Sequence, residues 1–168
     1  MSGKSLLTLM AEDRVWCSGW RDKDQSCEDV AFLEVKGKEV SQTSRFRMLS
    51  DPDVQLVVRE TLKLEGGSLC STFRFSALEA IVLRDGEPAQ PAEALPLLAA
   101  MAEAMADFEG KKACEAYTRN NETGEVHGRV TLDGEHAPEF DSIYRLIAPD
   151  TRIKLRPMID EPESTTIT

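Results

Sequence analysis

The chain has 168 residues, 41% of them apolar, with 30 acidic and 20 basic side chains and a formal net charge of −10. That length suits one domain that buries its core without obligatory staples, and the charge excludes the basic surface that general nucleic-acid binding requires. No run approaches the ~20 apolar residues of a membrane-inserted helix. Leu6-Leu7-Thr8-Leu9-Met10 is shorter than a signal-peptide core, so the chain reads as cytoplasmic or as a mature form without its leader.

Residues 1–28 show no clear periodicity. Alternation begins at 29–35 and continues through 40–49, where Ser44, Phe46 and Met48 fall on one face and Thr43, Arg45 and Arg47 on the other. Ser50-Asp51-Pro52-Asp53 is turn chemistry. Residues 54–64 and 69–75 alternate on either side of Gly66-Gly67, which predicts a hairpin with a two-residue turn. A further strand is expected over 78–83. Residues 92–109 form the one expected amphipathic helix, with Ala94, Leu98, Met101, Met105 and Phe108 at helical spacing. Strands follow at 113–119, 125–132, 140–147 and 151–156, the last an edge strand carrying Arg152, Lys154 and Arg156 outward. Residues 159–168 are acidic and Pro-broken, and are expected to be a disordered tail on a single β-rich domain, 1–158. The pattern predicts a mainly β (α+β) protein. Its antiparallel meander forms a curled sheet or small calycin-like barrel with one helix. The Gly-x-Trp entry strand of lipocalins is not matched, because Ser18-Gly19-Trp20 lacks the middle residue.

Facing along the Gly-Gly hairpin supplies the candidate site. Val58, Leu62, Phe73 and Phe75 point inward and would wall a ligand cavity. Glu60 lies on the same face, where a carboxylate among apolar neighbours either binds the polar end of a ligand or closes the core by pairing. On the outer face, extending the hairpin sets Arg59 opposite Arg74, an unfavourable like-charge pair. A neighbouring register that sets Phe46 against Val58 brings Arg45 into the same row, with Arg47 beside it. Such a row would bind an anion or an acidic partner through bidentate contacts, or would simply splay into water.

For 113–119 and 125–132, the register that sets Arg119 against Glu125 and Glu115 against Arg129 gives two opposite-charge pairs. It buries Cys114, Ala116, Val126 and Val130. His127 then faces away from Cys114, which leaves that thiol without a base, and neither His127 nor His136 has zinc-ligand spacing. No catalytic set, metal or cofactor is read from the sequence. Trp16 and Trp20 read as cover for one end of the sheet. Four cysteines allow three pairings, of which Cys17–Cys27 with Cys70–Cys114 is the first expectation and tilts localisation toward the periplasm or a secreted state; the alternative is four buried or idle thiols in a cytosolic protein. The expected function is a non-catalytic binding module for a small amphiphilic or anionic ligand. The alternative is a protein-interaction or inhibitor-like protein that uses the arginine row or its acidic surface. Neither nucleic acid nor membrane insertion is expected.

Overall fold

The computed structural model describes residues 1–159. A short helix, α1 (Gly3–Met10), comes first. Next come strands β1 (Val15–Ser18), β2 (Ser26–Cys27), β3 (Asp29–Lys36), β4 (Glu39–Leu49), β5 (Val54–Glu65) and β6 (Ser68–Thr72). Strands β7 (Glu79–Arg84) and β8 (Glu87–Pro88) precede helix α2 (Pro91–Ala104). The chain ends with β9 (Lys112–Arg119), β10 (Val126–Leu132), β11 (Glu135–His136), β12 (Ser142–Ile147) and β13 (Lys154–Leu155). The sheet runs β3, β1, β12, β10, β9, β6, β5, β4 and returns to β3, closing an antiparallel barrel of eight strands. Closure leaves this ring without a free edge.

Helix α1 was not legible as a helix. Its first turn is capped by Ser2, whose hydroxyl accepts from Ser5 N, and Leu6, Leu9 and Met10 form one apolar face. These three are fully buried and plug one end of the barrel, with Val40, Leu62, Leu69, Tyr117 and Val126 around them. A Cβ on Gly67 would collide with the Met1 carbonyl, and one on Gly3 with that of Gly66. The Gly-Gly turn therefore closes the hairpin and also lets the chain start dock on it.

The hairpin register follows the sequence for three pairs, Lys63–Cys70, Leu64–Leu69 and Glu65–Ser68. It then stops. Over Val54–Arg59 the same edge of β5 pairs with β7 instead, and Phe75 lies in a single 3-10 turn rather than a strand. Arg59 consequently faces Glu79, not Arg74. On the other edge, Phe46 pairs with Leu56 and Thr43 with Arg59, two residues from the expected register. A two-residue offset preserves which face each residue occupies, because side chains alternate with period two, and the register shifts once more between Arg47 and Leu49.

The β9–β10 register is displaced by one residue. Tyr117 faces Gly128, Glu115 faces Val130 and Cys114 faces Thr131. A one-residue slip exchanges the faces of a strand, so Glu115 and Tyr117 point inward while Cys114 and Ala116 point outward. Of 151–156 only Lys154–Leu155 forms a strand, parallel to β2, and the acidic tail from Asp160 lies outside the described residues. The expected helix ends at Ala104, followed by a 3-10 turn at Ala106–Phe108.

Two further apolar clusters lie beyond the plugged end. On the outer wall, Val15, Cys17, Cys27, Val30, Ile147 and Leu155 are buried together, which is why β1 is buried on both faces. Across β5 and β7, Ala94, Leu97, Leu98 and Met101 of α2 pack on Val54, Leu56 and Val82, and Arg84 pairs with Glu93.

Cys17 is bonded to Cys27, and Cys70 to Cys114. The second bridge joins directly opposed residues of β6 and β9, where the strands before α2 meet those after it. Two disulfides fit an oxidising environment. Titration of unfolded, unreduced protein should find no free thiol, and the Cys70→Ala/Cys114→Ala variant should lose about 3–4 kcal/mol, as expected for a loop of 44 residues. Four free thiols would contradict this pairing.

Candidate functional site

Between the α1 plug and α2 the barrel is hollow. Two cavities share Gln42, Ser44 and Phe46 on β4. The inner one, about 320 Å³, is lined by Trp16, Ser18, Asp29, Ser142, Tyr117 and Tyr144 among others. The outer one, about 660 Å³, lies under α2 and is mostly apolar, with Leu56, Val58, Phe73, Leu97, Met101 and Met105 in its wall. Among the described residues neither is lined by a lysine, arginine or histidine.

The outer cavity exists because β5 changes partners. β6 pairs with β5 only through Lys63–Glu65 and β7 only through Val54–Arg59. At the intervening residues the two neighbours diverge, and α2 roofs the gap. Glu60 stands in that fork and lines the cavity. Among the described residues no hydrogen bond or ion pair reaches its carboxyl group. Its direct neighbour on β4 is Gln42, whose amide is instead given to Ser44 Oγ at 3.1 Å. Burial pushes the Glu60 pKa upward, because a charge is poorly solvated there.

Glu115 anchors the inner compartment. Its two carboxylate oxygens accept from Tyr117 at 2.8 Å and Tyr144 at 2.7 Å. Both phenols meet Trp16 edge-on, with ring centroids 5.8 and 5.3 Å away. Burial pushes the Glu115 pKa up and the two phenol bonds pull it partly back. The phenols are raised as well, chiefly by burial and then by the neighbouring carboxylate. Asp29 is also raised by burial, partly offset by the Ser18 hydroxyl. A Cβ at Gly128 would fall onto a Glu115 oxygen, so the glycine in mid-strand clears the space this carboxylate occupies. Trp16 is only 2% exposed, and its indole N–H has no partner among the described residues.

Of the residues singled out from the sequence, Val58, Glu60 and Phe73 share the outer cavity. Leu62 lies below it, buried against α1, and Phe75 stands outside the lining. Of the arginines, Arg45 and Arg47 line one groove on the outer wall, and Arg59 and Arg74 stand outside it. Arg47 is half-buried, pairs with Asp53 at 3.1 Å and donates to the Leu155 carbonyl. Arg59 donates to Ser41 Oγ, Arg74 precedes a 3-10 turn, and Arg45 faces Val57. No strand register aligns them in a row. Glu65, Cys70 and Cys114 converge, yet the disulfide leaves no thiolate to bind a metal. Trp20 packs outside the lumen, with Arg145 over its ring and its N–H on Asp22.

The residues missed by sequence reading are Glu115, Tyr117, Tyr144, Trp16 and Asp29. Gly128 was the available signal, since a glycine inside a strand marks a close approach across it. Among the described residues no helix is long and apolar enough to cross a membrane. No protein-family model, curated protein or solved structure matches the chain.

The raised Glu115 gives a signed pH dependence. Above the ordinary value of 4.5 the unfolded chain releases this proton while the fold retains it. The group's stabilising contribution is therefore full below that value and is lost as pH rises through its folded pKa. Stability of Glu115→Gln, measured by urea denaturation between pH 4.5 and 8, should fall less steeply with pH than that of the parent. Parallel curves would contradict the burial of this carboxyl.

Proposed function

We propose that the protein is a non-catalytic binding module that holds a small amphiphilic molecule in its barrel. The observation that carries this reading is the outer cavity, about 660 Å³, within the ~300–1,000 Å³ range of small-molecule sites. Its walls are apolar, and among the described residues Glu60 is the one ionisable group in the lining and has no hydrogen-bond or ion-pair partner. The ligand body lies against Val58, Phe73, Leu97 and Met101, and its polar end reaches Glu60 and the Gln42–Ser44 pair. Apolar burial supplies affinity, at ~25 cal/mol per Å² removed from water, and the few polar groups orient the ligand.

The inner acid has both carboxylate oxygens engaged by phenols. That arrangement supports a structural and electrostatic role for Glu115 over proton transfer to a substrate, and it favours binding over catalysis. The two disulfides favour a periplasmic or secreted setting.

Ala100 is exposed on α2 and borders the outer cavity. Ala100→Trp should leave the unfolding midpoint within about 0.5 kcal/mol, as for a surface substitution, yet weaken uptake of an environment-sensitive apolar dye severalfold. Equal dye binding by both proteins would contradict the cavity as the site.

A further inference from the structure

We infer that the molecule held in the outer cavity carries a cationic, hydrogen-bond-donating head, an alkyl amine, which Glu60 recognises at the fork of β5. This deepens the lumen-binding reading and rests on it. Charge selects the head group. Among the described residues the lining of both cavities contains Glu60 and Asp29 but no basic side chain, and Glu115 lies in the same interior. A carboxylate-headed amphiphile placed there would meet like charge with no guanidinium or ammonium to compensate it. An ammonium would meet an acceptor that the described residues leave unpartnered.

Three local facts make Glu60 the recognition point. It lies where β6 and β7 separate, so β5 has no neighbour on that edge to supply a partner. Gln42, directly across on β4, commits its amide to Ser44. The surrounding wall, with Val58, Leu56, Phe73 and Met101, is apolar, so an ion pair formed there is weakly screened. Glu115 and Asp29 are less suited. Glu115 already accepts two phenol hydrogen bonds, and Asp29 lines the inner cavity beside Ser18.

The basic residues near the barrel mouth do not reverse this selection. Arg21 pairs with Asp24 at 2.5 Å, and Arg156 with Glu28 at 3.7 Å while it also donates to the carbonyls of Gly19 and Ser26.

Decylamine, decanol and decanoate share one chain and differ only at the head, which makes them direct probes. Their affinities are measured by calorimetry at neutral pH, below micelle-forming concentrations, for the parent protein, Glu60→Gln and Glu103→Gln. Glu103 is exposed and outside the lining, so its variant controls for general attraction of a cation by an acidic protein. The parent should bind decylamine about tenfold tighter than decanoate, the scale of a charge-assisted hydrogen bond. Glu60→Gln should bring that ratio close to one, and Glu103→Gln should preserve it. Decanoate binding as tightly as decylamine, or an unchanged ratio in Glu60→Gln, overturns the inference and leaves lumen binding standing. A ratio lowered equally by Glu103→Gln overturns it too, as a general charge effect. If none of the three ligands binds, lumen binding fails and the inference fails with it.

Discussion

One strand, β5, takes two successive partners along a single edge, and the internal space depends on that exchange. A strand paired along its whole length with one neighbour would close the wall and bring the facing side chains into a packed core. Here β6 accompanies β5 for three residues beside the Gly-Gly turn and β7 takes over from Arg59 downward. The wall splits, and α2 spans the split by packing Leu97, Leu98 and Met101 onto Val54, Leu56 and Val82. At the opposite end α1 seals the barrel with Leu6, Leu9 and Met10. The result is an enclosure with a floor, a roof and an acid at the fork.

The polar groups inside follow a consistent electrostatic pattern. Glu60, Glu115 and Asp29 all have raised pKa values, with loss of hydration as the leading cause in each. The protein compensates one of them thoroughly, through Tyr117 and Tyr144, and makes room for that arrangement by having no side chain at Gly128. Among the described residues it gives Glu60 no hydrogen-bond or ion-pair partner. Burying an acceptor without a partner is costly, so a group that completes Glu60 contributes more to binding than the same contact on the surface would.

The facing of β4 and the whole of β5 was legible because each is buried chiefly on one side, and period-two alternation then reports the fold directly. The β-rich barrel with a covering helix was legible from the same alternation, whereas the Cys17–Cys27 bridge was legible because the two cysteines bracket a polar loop, with Cys70 and Cys114 as the remaining pair. The β1 segment was not, since Cys17 and Val15 are buried in the outer cluster and Trp16 in the lumen, which leaves no alternation to read. α1, eight residues long, looks like a bare apolar run. The inner site was hidden by the single-residue slip in β9, where opposite-charge pairing outweighed the glycine at 128. Surface ion pairs are weak evidence of register, because they contribute little energy. The conflict between Arg59 and Arg74 was itself informative: it marks where the hairpin stops, and Glu79 resolves it.

The central claim is that the space beneath α2 is open to a ligand, and methyl-resolved NMR tests it most directly. On titration with decylamine, methyl signals of Val58, Leu97, Met101 and Met105 should shift together and saturate. Those of Leu6, Leu9 and Val126 around the plug should stay in place. Shifts confined to exposed residues such as Ile81 and Ile143, with the cavity methyls unmoved, would contradict an internal site.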